Sequence, residues 1–357
     1  MKLCHDLPCE QFRCLRQPRL KVTNTMPTLS VVIPAYNVEQ YIEAAIDSVL
    51  AQTKPFYEII IVNDGSTDAT AARLEKYAYC PTVRLIHTKN QGLGPTRNEG
   101  VRHASGDFVY FLDADDVIVP HFVAALNSVL ENTPNLDLIF FSGEIFYDDD
   151  YPRGSSTDAR VDEFYRDLDG IYPSGIDAAA AMLQIRKFSP SACLYISRRA
   201  FWENSLQFKP IIHEDDEVIM QLCALARTTR IFNEIFYMRR IRNGSIMSTK
   251  RTRRNALGYF EALSSTWNLY QQISSRRHQT VLETYFWIQV WQYLQICKIA
   301  RLKPTVAEAI FLARRFRYIP KADFIRTLLP QRSRSMIRRV RQLLTFSGSD
   351  VARNAGE

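Results

Sequence analysis

Short apolar runs alternate with helical patterns over the first 140 residues, and this repetition constrains the fold more than any other feature. The apolar runs lie at residues 29–33, 58–62, 83–87, 107–112 and 137–141. Strands that are apolar on both faces are typical of a parallel sheet with helices packed on each side. The repetition therefore predicts an α/β fold with a mainly parallel sheet.

Polar side chains follow three of these predicted strands directly. They are Tyr36, Asn37, Asp64, Asp113, Asp115 and Asp116. Since ligands of open α/β sheets bind beyond the carboxyl ends of the strands, these side chains are expected to converge on one site. Neighbouring carboxylates repel each other and favour a divalent cation, and Mg²⁺ is commonly held by one or two carboxylates with phosphate oxygens. A turn cap before Pro120 is the alternative role for Asp115 or Asp116.

Four segments occur in a fixed order along this region. They are Ser30–Asn37 (SVVIPAYN), Val62–Asp68 (VNDGSTD), Asn90–Asn98 (NQGLGPTRN) and Phe111–Asp116 (FLDADD). Together they resemble the nucleotide-sugar-binding half of family 2 inverting glycosyltransferases. The similarity continues through residues 191–195 and 213–216 and covers residues 28–248. It implies the GT-A fold, which is Rossmann-like, and a UDP-sugar as the donor.

The resemblance also implies roles for individual donor-site residues. Pro34, Tyr36 and Asp64 would surround the uracil, with a core aromatic at a strand end as the alternative role for Tyr36. Further donor contacts would come from Arg97, from Asp113 at the ribose or sugar, and from Arg242 in a basic loop that closes on the diphosphate. Asp115 would hold Mn²⁺ or Mg²⁺, and Asp116 would support its neighbours or cap the turn.

The acidic motif His213–Asp216 opens an apolar helical pattern and supplies the expected catalytic residues. An inverting transfer needs a base that deprotonates the acceptor hydroxyl. By resemblance to the Glu-Asp motif of the family, Asp215 is the base and Glu214 positions the acceptor or the sugar. The alternative is that these acids only favour the amino terminus of a helix. A zinc site is not expected, because the motif lacks the spacing His-x3-His.

The charge of the chain is unevenly distributed. Residues 239–357 carry 23 Lys and Arg against six Asp and Glu, a balance of +17, whereas residues 1–238 have a balance of −10. Residues 256–299 have a helical pattern, and residues 328–344 resemble a basic amphipathic helix that binds an anionic membrane surface. A helix packed on the catalytic domain is the alternative. Nucleic acid is not an expected partner, because no RRM or KH motif accompanies the arginines.

These patterns predict three regions: a loose leader at residues 1–26, a GT-A domain at 27–248 and a basic helical region at 249–357. The leader contains Cys4, Cys9 and Cys14 but lacks the pairs typical of zinc sites. Seven cysteines in all favour a reducing compartment. No apolar stretch reaches the ~20 residues needed to cross a bilayer. The expected location is the cytoplasm, with peripheral attachment to the cytoplasmic face of the inner membrane.

The expected function is transfer of one sugar to a glycan or lipid-linked glycan in polysaccharide biosynthesis. Single addition is favoured because the Gln-x2-Arg-Trp motif of processive synthases is absent from the sequence. An inactive GT-A scaffold and a nucleic-acid-binding protein are the alternatives from other functional classes. The sequence is also compatible with a homo-oligomer.

Overall fold

The computed structural model describes residues 26–148, 151, 164–244 and 250–315. The strands in these ranges are β1 (Leu29–Ala35), β2 (Glu58–Asn63), β3 (Val83–His87), β4 (Phe108–Phe111), β5 (Val117–Ile118), β6 (Leu138–Tyr147), β7 (Gly170–Tyr172), β8 (Tyr195–Arg198) and β9 (Thr229–Ile241). The helices are α1 (Ile42–Leu50), α2 (Thr70–Leu74), α3 (Leu93–His103), α4 (Phe122–Asn132), α5 (Gly175–Gln184), α6 (Arg199–Asn204), α7 (Glu214–Leu225), α8 (Arg253–Gln272), α9 (Arg276–Ile299) and α10 (Val306–Arg315).

The strands form one sheet in the order β3-β2-β1-β4-β8-β6-β9-β5, and β7 pairs with β9. The four strands from β3 to β4 are parallel. Strand β8 then runs antiparallel to both β4 and β6, so the direction changes in the middle of the sheet. The α/β class is confirmed, but the sheet is mixed rather than mainly parallel, because β8, β5 and β7 pair antiparallel to their neighbours while β6 and β9 pair in parallel.

Helices cover both faces of the sheet, as the apolar strands predict. The pleat of β1 sends alternate side chains to opposite faces. Val31 and Ile33 belong to the apolar layer that includes α1 and α4, whereas Val32 belongs to the layer that includes α3, α5 and α7. Helix α3 approaches β1 closely at Gly100, where a Cβ atom would lie 2.2 Å from Cγ1 of Val32. This approach fixes the start of α3 above the carboxyl ends of the strands.

The predicted helical region after the sheet is confirmed and consists of α8, α9 and α10. Helices α8 and α9 pack against each other in a hairpin closed by residues 273–275, and α8 also packs against α7. An apolar cluster lies inside this region, where the rings of Trp267 and Phe286 have centroids 5.1 Å apart. The helical hairpin, meaning α8 and α9 hereafter, therefore contacts the sheet domain through α7, and α9 also contacts α5.

Among the described helices, none combines the length and the apolar composition that crossing a membrane requires. The predicted leader lies outside the described residues except for Met26, and so do the end of the basic loop at 245–249 and the basic amphipathic segment at 328–344.

Candidate active site

The loops that follow β1 and β2 are bound to each other. The backbone N–H of Asn37 donates to Oγ of Ser66 at 3.1 Å, and the N–H of Thr67 donates to Oδ1 of Asn37 at 2.8 Å. Tyr36, the residue before Asn37, is 48% exposed, so its ring is not part of the core. Pro34 is buried within β1. These contacts place an accessible aromatic ring at the carboxyl edge of the parallel strands.

Asp64 is only 2% exposed, and its carboxylate organises the loop after β3. Oδ1 accepts hydrogen bonds from Oγ1 of Thr88 at 3.1 Å and from the N–H of Gln91 at 3.0 Å, while Oδ2 accepts from the N–H of Gly92 at 2.9 Å. The next residue, Gly65, has φ +68°, and a Cβ there would lie 2.8 Å from the backbone nitrogen of Asn90. The sequence indicated a donor contact for Asp64 but gave no signal of this second role.

Arg97 joins three elements at the centre of the site. It lies on α3, is 2% exposed, and donates through Nη2 to Oδ1 of Asp113 at 2.8 Å and through Nη1 to Oε1 of Glu214 at 2.6 Å. Burial alone would lower the pKa of this guanidinium, but the two carboxylates raise it above its ordinary value. Arg97 is therefore a permanent cation between the end of β4 and the start of α7.

The three aspartates after β4 have different surroundings. Asp113 keeps a third of its side chain exposed, and Oδ2 of Asp115 accepts from Nε of Arg242 at 2.8 Å. Asp116 is buried and accepts hydrogen bonds from the hydroxyl of Tyr237 and from the N–H of Arg240. Burial and the charges of the two other aspartates raise the pKa of Asp116 well above its ordinary value. Asp116 thus ties β9 to the end of β4.

Asp115 could bind a divalent cation only if ligands from outside the described residues complete the coordination shell of the metal. Within the described residues, no group of three His, Cys, Asp or Glu side chains could hold a metal ion. The structure records hydrogen bonds to one oxygen each of Asp113 and Asp115, and no described residue donates to the other carboxylate oxygens. Mg²⁺ and Mn²⁺ accept such a sparse protein shell when phosphate oxygens and water supply the remaining ligands.

The acidic motif lies at the start of α7, directly after His213. Burial and the neighbouring Asp215 raise the pKa of Glu214 to about 7, although Arg97 opposes the shift. Burial likewise raises the pKa of Asp215, against the effect of Arg97. Oδ1 of Asp215 accepts from the N–H of Asp216 at 2.9 Å. A raised pKa makes a carboxylate a stronger proton acceptor, as a general base requires.

The end of β9 brings arginines to the carboxylates after β4. Besides Arg242, the side chain of Arg240 donates through Nε to the carbonyl of Asp115 at 3.0 Å and through Nη1 to Oδ1 of Asp148 at 3.1 Å. The ring of Tyr41 lies 4.7 Å from the guanidinium carbon of Arg242. These contacts were not visible in the sequence, because the partners are more than 90 residues apart.

Five of the residues singled out from the sequence thus form two directly bonded groups. Arg97, Asp113 and Glu214 make one group, with Asp215 adjacent to Glu214, and Asp115 and Arg242 make the other. Pro34, Tyr36 and Asp64 lie at the ends of β1 and β2, and no direct bond joins them to these groups within the described residues.

Sequence comparisons match the amino-terminal part of the chain to a known family. Residues 30–190 match the family described as Glycosyl transferase family 2. This part of the chain is a family 2 glycosyltransferase domain. The putative glycosyltransferase EpsH of Bacillus subtilis is 35% identical over 142 residues, which is 40% of this chain and 40% of EpsH. The uncharacterized glycosyltransferase YibD of Escherichia coli is 43% identical over 98 residues, or 27% of this chain and 28% of YibD. The match therefore spans less than half the length of either relative.

Structural comparisons show a shared fold over more of the chain than the family match covers. S. aureus TarS 1–349, solved in complex with UDP-GlcNAc, has a TM-score of 0.61 at 19% identity, covering 82% of both chains. The mannosyltransferase PcManGT from Pyrobaculum calidifontis, in complex with GDP-Man and Mn²⁺, has a TM-score of 0.53 at 15% identity. That match covers 83% of this chain and 81% of PcManGT. The predicted GT-A fold is thereby confirmed.

Proposed function

We propose that this chain transfers one sugar from a nucleotide-sugar donor, a UDP-sugar, to a hydroxyl of a glycan or lipid-linked glycan, with inversion at the anomeric carbon. The observation that carries the proposal is the bond from one guanidinium, Arg97, to both Asp113 and Glu214. It holds the expected donor carboxylate and the acidic motif in one site. The nucleotide sugars bound to TarS and PcManGT support the choice of donor class.

The donor would lie across the carboxyl ends of the parallel strands. The exposed ring of Tyr36, with Pro34 near the end of β1 and Asp64 directly after β2, suits a uracil, because an aromatic ring offers a stacking face and a carboxylate accepts an N–H. Asp113 would meet the ribose or sugar, and Asp115 would hold Mn²⁺ or Mg²⁺, which offsets the charge of the departing diphosphate. Arg242 would then contact the diphosphate with its planar guanidinium.

Asp215 would act as the base. Its carboxylate takes the proton of the acceptor hydroxyl while the hydroxyl oxygen forms a bond to the anomeric carbon. The bond from that carbon to the diphosphate oxygen breaks, and UDP leaves with the electron pair. Glu214, fixed by its bond to Arg97, would position the acceptor or the sugar beside the base.

The wider role would be single sugar addition in polysaccharide biosynthesis. The relatives that support a glycosyltransferase match only part of this chain, so acceptor and linkage belong to the proposal. Attachment to the cytoplasmic membrane face would bring the site to a lipid-linked acceptor, and the basic carboxyl-terminal third supports such attachment through its charge.

A thermal-shift screen of UDP- and GDP-sugars with Mn²⁺ tests the donor site, since a ligand that binds the native state raises the melting temperature. We expect a UDP-sugar to give the largest shift and Asp115→Ala to abolish its dependence on Mn²⁺. Asp107→Ala, at the opposite end of β4, is the matched control and should keep the shift. A shift that survives in EDTA would exclude the assignment of Asp115 to the metal.

The base is tested by Asp215→Asn, which keeps the size of the side chain. Binding of donor and Mn²⁺ should persist, while transfer falls by roughly 10²–10⁴, the usual contribution of a positioned base. Loss of UDP binding in step with loss of rate would instead place Asp215 in the donor site. Donor binding by the wild-type protein without any turnover would favour an inactive scaffold.

A further inference from the structure

Helix α9 contacts the acidic motif through two buried side chains. The hydroxyl of Tyr285 donates to Oδ1 of Asp216 at 2.9 Å, and Nε2 of Gln289 donates to the backbone carbonyl of the same residue at 2.9 Å. Tyr285 is 3% exposed and Gln289 is fully buried. The two residues are four apart, so they lie on one face of α9. Asp216 is thus held at both its side chain and its backbone by the helical hairpin.

Asp216 in turn holds Asp215, the proposed base. Its backbone N–H donates to Oδ1 of Asp215 at 2.9 Å. That bond leaves Oδ2 of Asp215 as the oxygen able to take a proton from the acceptor. The orientation of the base therefore depends on where the peptide of Asp216 lies, and the contacts from α9 fix that position.

The same tyrosine also packs against a segment on another side of the site. The rings of Tyr285 and Phe188 meet edge to face with centroids 5.2 Å apart. The backbone around Phe188 is held by Arg166, whose Nη1 donates to the carbonyl of Lys187 at 3.1 Å. Tyr285 thus lies between the base-bearing helix and the segment at residues 187–189, and both contacts restrict its own movement.

We propose that Tyr285 and Gln289 are positioning residues for the glycosyl transfer, acting through Asp216 to aim the carboxylate of Asp215 at the acceptor. This role presupposes the transfer proposed above. It assigns a part of the catalytic machinery to a helix outside the region matched by the family. Positioning matters here because a displacement of about 1 Å at a reacting group can reduce the rate by roughly 10²-fold.

Two tyrosine variants separate positioning from stability. Tyr285→Phe removes the hydroxyl that bonds Asp216, whereas Tyr77→Phe removes a hydroxyl that bonds Asp47 at 2.8 Å on α1. Both lose a tyrosine-to-aspartate hydrogen bond, and Tyr77→Phe also loses a longer bond of 3.5 Å to the carbonyl of Glu43, so the loss of stability in the control should be at least as large. The probe is release of UDP from UDP-N-acetylglucosamine with Mn²⁺ and water as the acceptor. We expect Tyr285→Phe to lower kcat by roughly 10-fold or more with unchanged donor KM, and Tyr77→Phe to leave both constants unchanged.

Variants of Asp216 test whether this residue acts by accepting the hydrogen bond from Tyr285 or by its own charge. Asp216→Asn keeps an oxygen that accepts from Tyr285, so most of the activity should remain, whereas Asp216→Leu should fall to the level of Tyr285→Phe or below. If Tyr285→Phe does not fold, Gln289→Met tests the same connection through the backbone carbonyl. Equal kcat values for Tyr285→Phe and Tyr77→Phe would overturn the role, and so would an Asp216→Asn variant as inactive as Asp215→Asn. Failure of the wild type to bind or turn over any nucleotide sugar would contradict the proposed function instead.

Discussion

Two arginines of this domain, Arg97 and Arg166, are buried rather than exposed to solvent. The guanidinium of Arg166 is fully buried and donates through Nε to the carbonyl of Phe141 at 3.2 Å and through Nη1 to that of Lys187. Burial lowers its pKa to about 9. Burying such a group costs desolvation free energy that hydrogen bonds only partly offset. Arg97 and Arg166 therefore serve to fix geometry at the expense of stability.

His213 gives a prediction about pH. Its ring stacks on that of Tyr259 with centroids 3.9 Å apart, and its backbone has φ 70°. Burial and the charge of Arg251 lower the pKa of His213 from 6.5 to about 4. Between those values the unfolded chain binds the proton and the folded chain does not, so the free energy of unfolding falls as the pH drops. At about pH 5 this amounts to about 2 kcal/mol.

The variant His213→Asn isolates this effect, because asparagine tolerates positive φ and does not titrate in this range. Urea unfolding should show a destabilised variant at about pH 7.5, and the difference from the wild type should shrink by about 2 kcal/mol at about pH 5. A difference that stays constant with pH would show that the pKa of His213 is the same in the folded and unfolded chains.

At the scale of elements, α7 packs against α8 of the helical hairpin. Glu217 on α7 accepts from the hydroxyl of Ser265 on α8, and Nζ of Lys209 lies 3.0 Å from its Oε1 and 3.4 Å from Oε2 of Glu261. Helix α8 approaches the segment before α7 at Gly258, where a Cβ atom would lie 1.8 Å from the carbonyl oxygen of Ile212. The peptide before His213 thus rests directly on the backbone of α8.

Gly258→Ala should separate these two backbones. Alanine favours a helix over glycine by about 1 kcal/mol, but the collision is with a backbone carbonyl that cannot rotate away. We expect a net loss of about 1–3 kcal/mol in the free energy of unfolding and a slower transfer reaction. Chemical denaturation and UDP release measure the two effects. Leu257→Ala, at the exposed neighbouring position, is the control and should affect neither by a comparable amount.

The sequence predicted local elements well and contacts between distant elements poorly. The strand predicted at residues 83–87 agrees with β3 in full, because an apolar run between turn residues is a local signal. The strand predicted at 137–141 extends to Tyr147 in β6, since its later residues are stabilised by pairing with β9. The bonds of Tyr285 to Asp216 and of Arg242 to Asp115 had no local signal at all. Such pairs depend on how the hairpin and β9 return to the sheet.

For the whole molecule, the division of charge gives the last prediction. The balance of +17 from Arg239 onward includes a group of arginines outside the described residues. They are Arg332, Arg334, Arg338, Arg339 and Arg341. Each basic residue near an anionic leaflet contributes about 1 kcal/mol, and the attraction fades over a Debye length of ~8 Å at physiological salt.

The protein should therefore sediment with anionic vesicles at low salt and be released at high salt. Removing residues 328–357 should weaken binding while UDP release in solution persists. Replacing the five arginines with lysine keeps the charge and should preserve binding, whereas replacing them with glutamine should reduce it as the truncation does. Equal binding to neutral and anionic vesicles would reject an electrostatic anchor.

The bond between Arg97 and Glu214 also limits how this chain can be recombined with its relatives. Residues 28–148 would supply the donor half of a chimera, and residues 208–315 would supply the acceptor half with its own hairpin. A crossover between them divides the ion pair between two parents. A foreign acceptor half therefore has to begin α7 with a carboxylate in the place of Glu214. Without one, the chimera would bury a guanidinium that retains only one of its two carboxylates, and new acceptor specificity would come with a loss of folded protein.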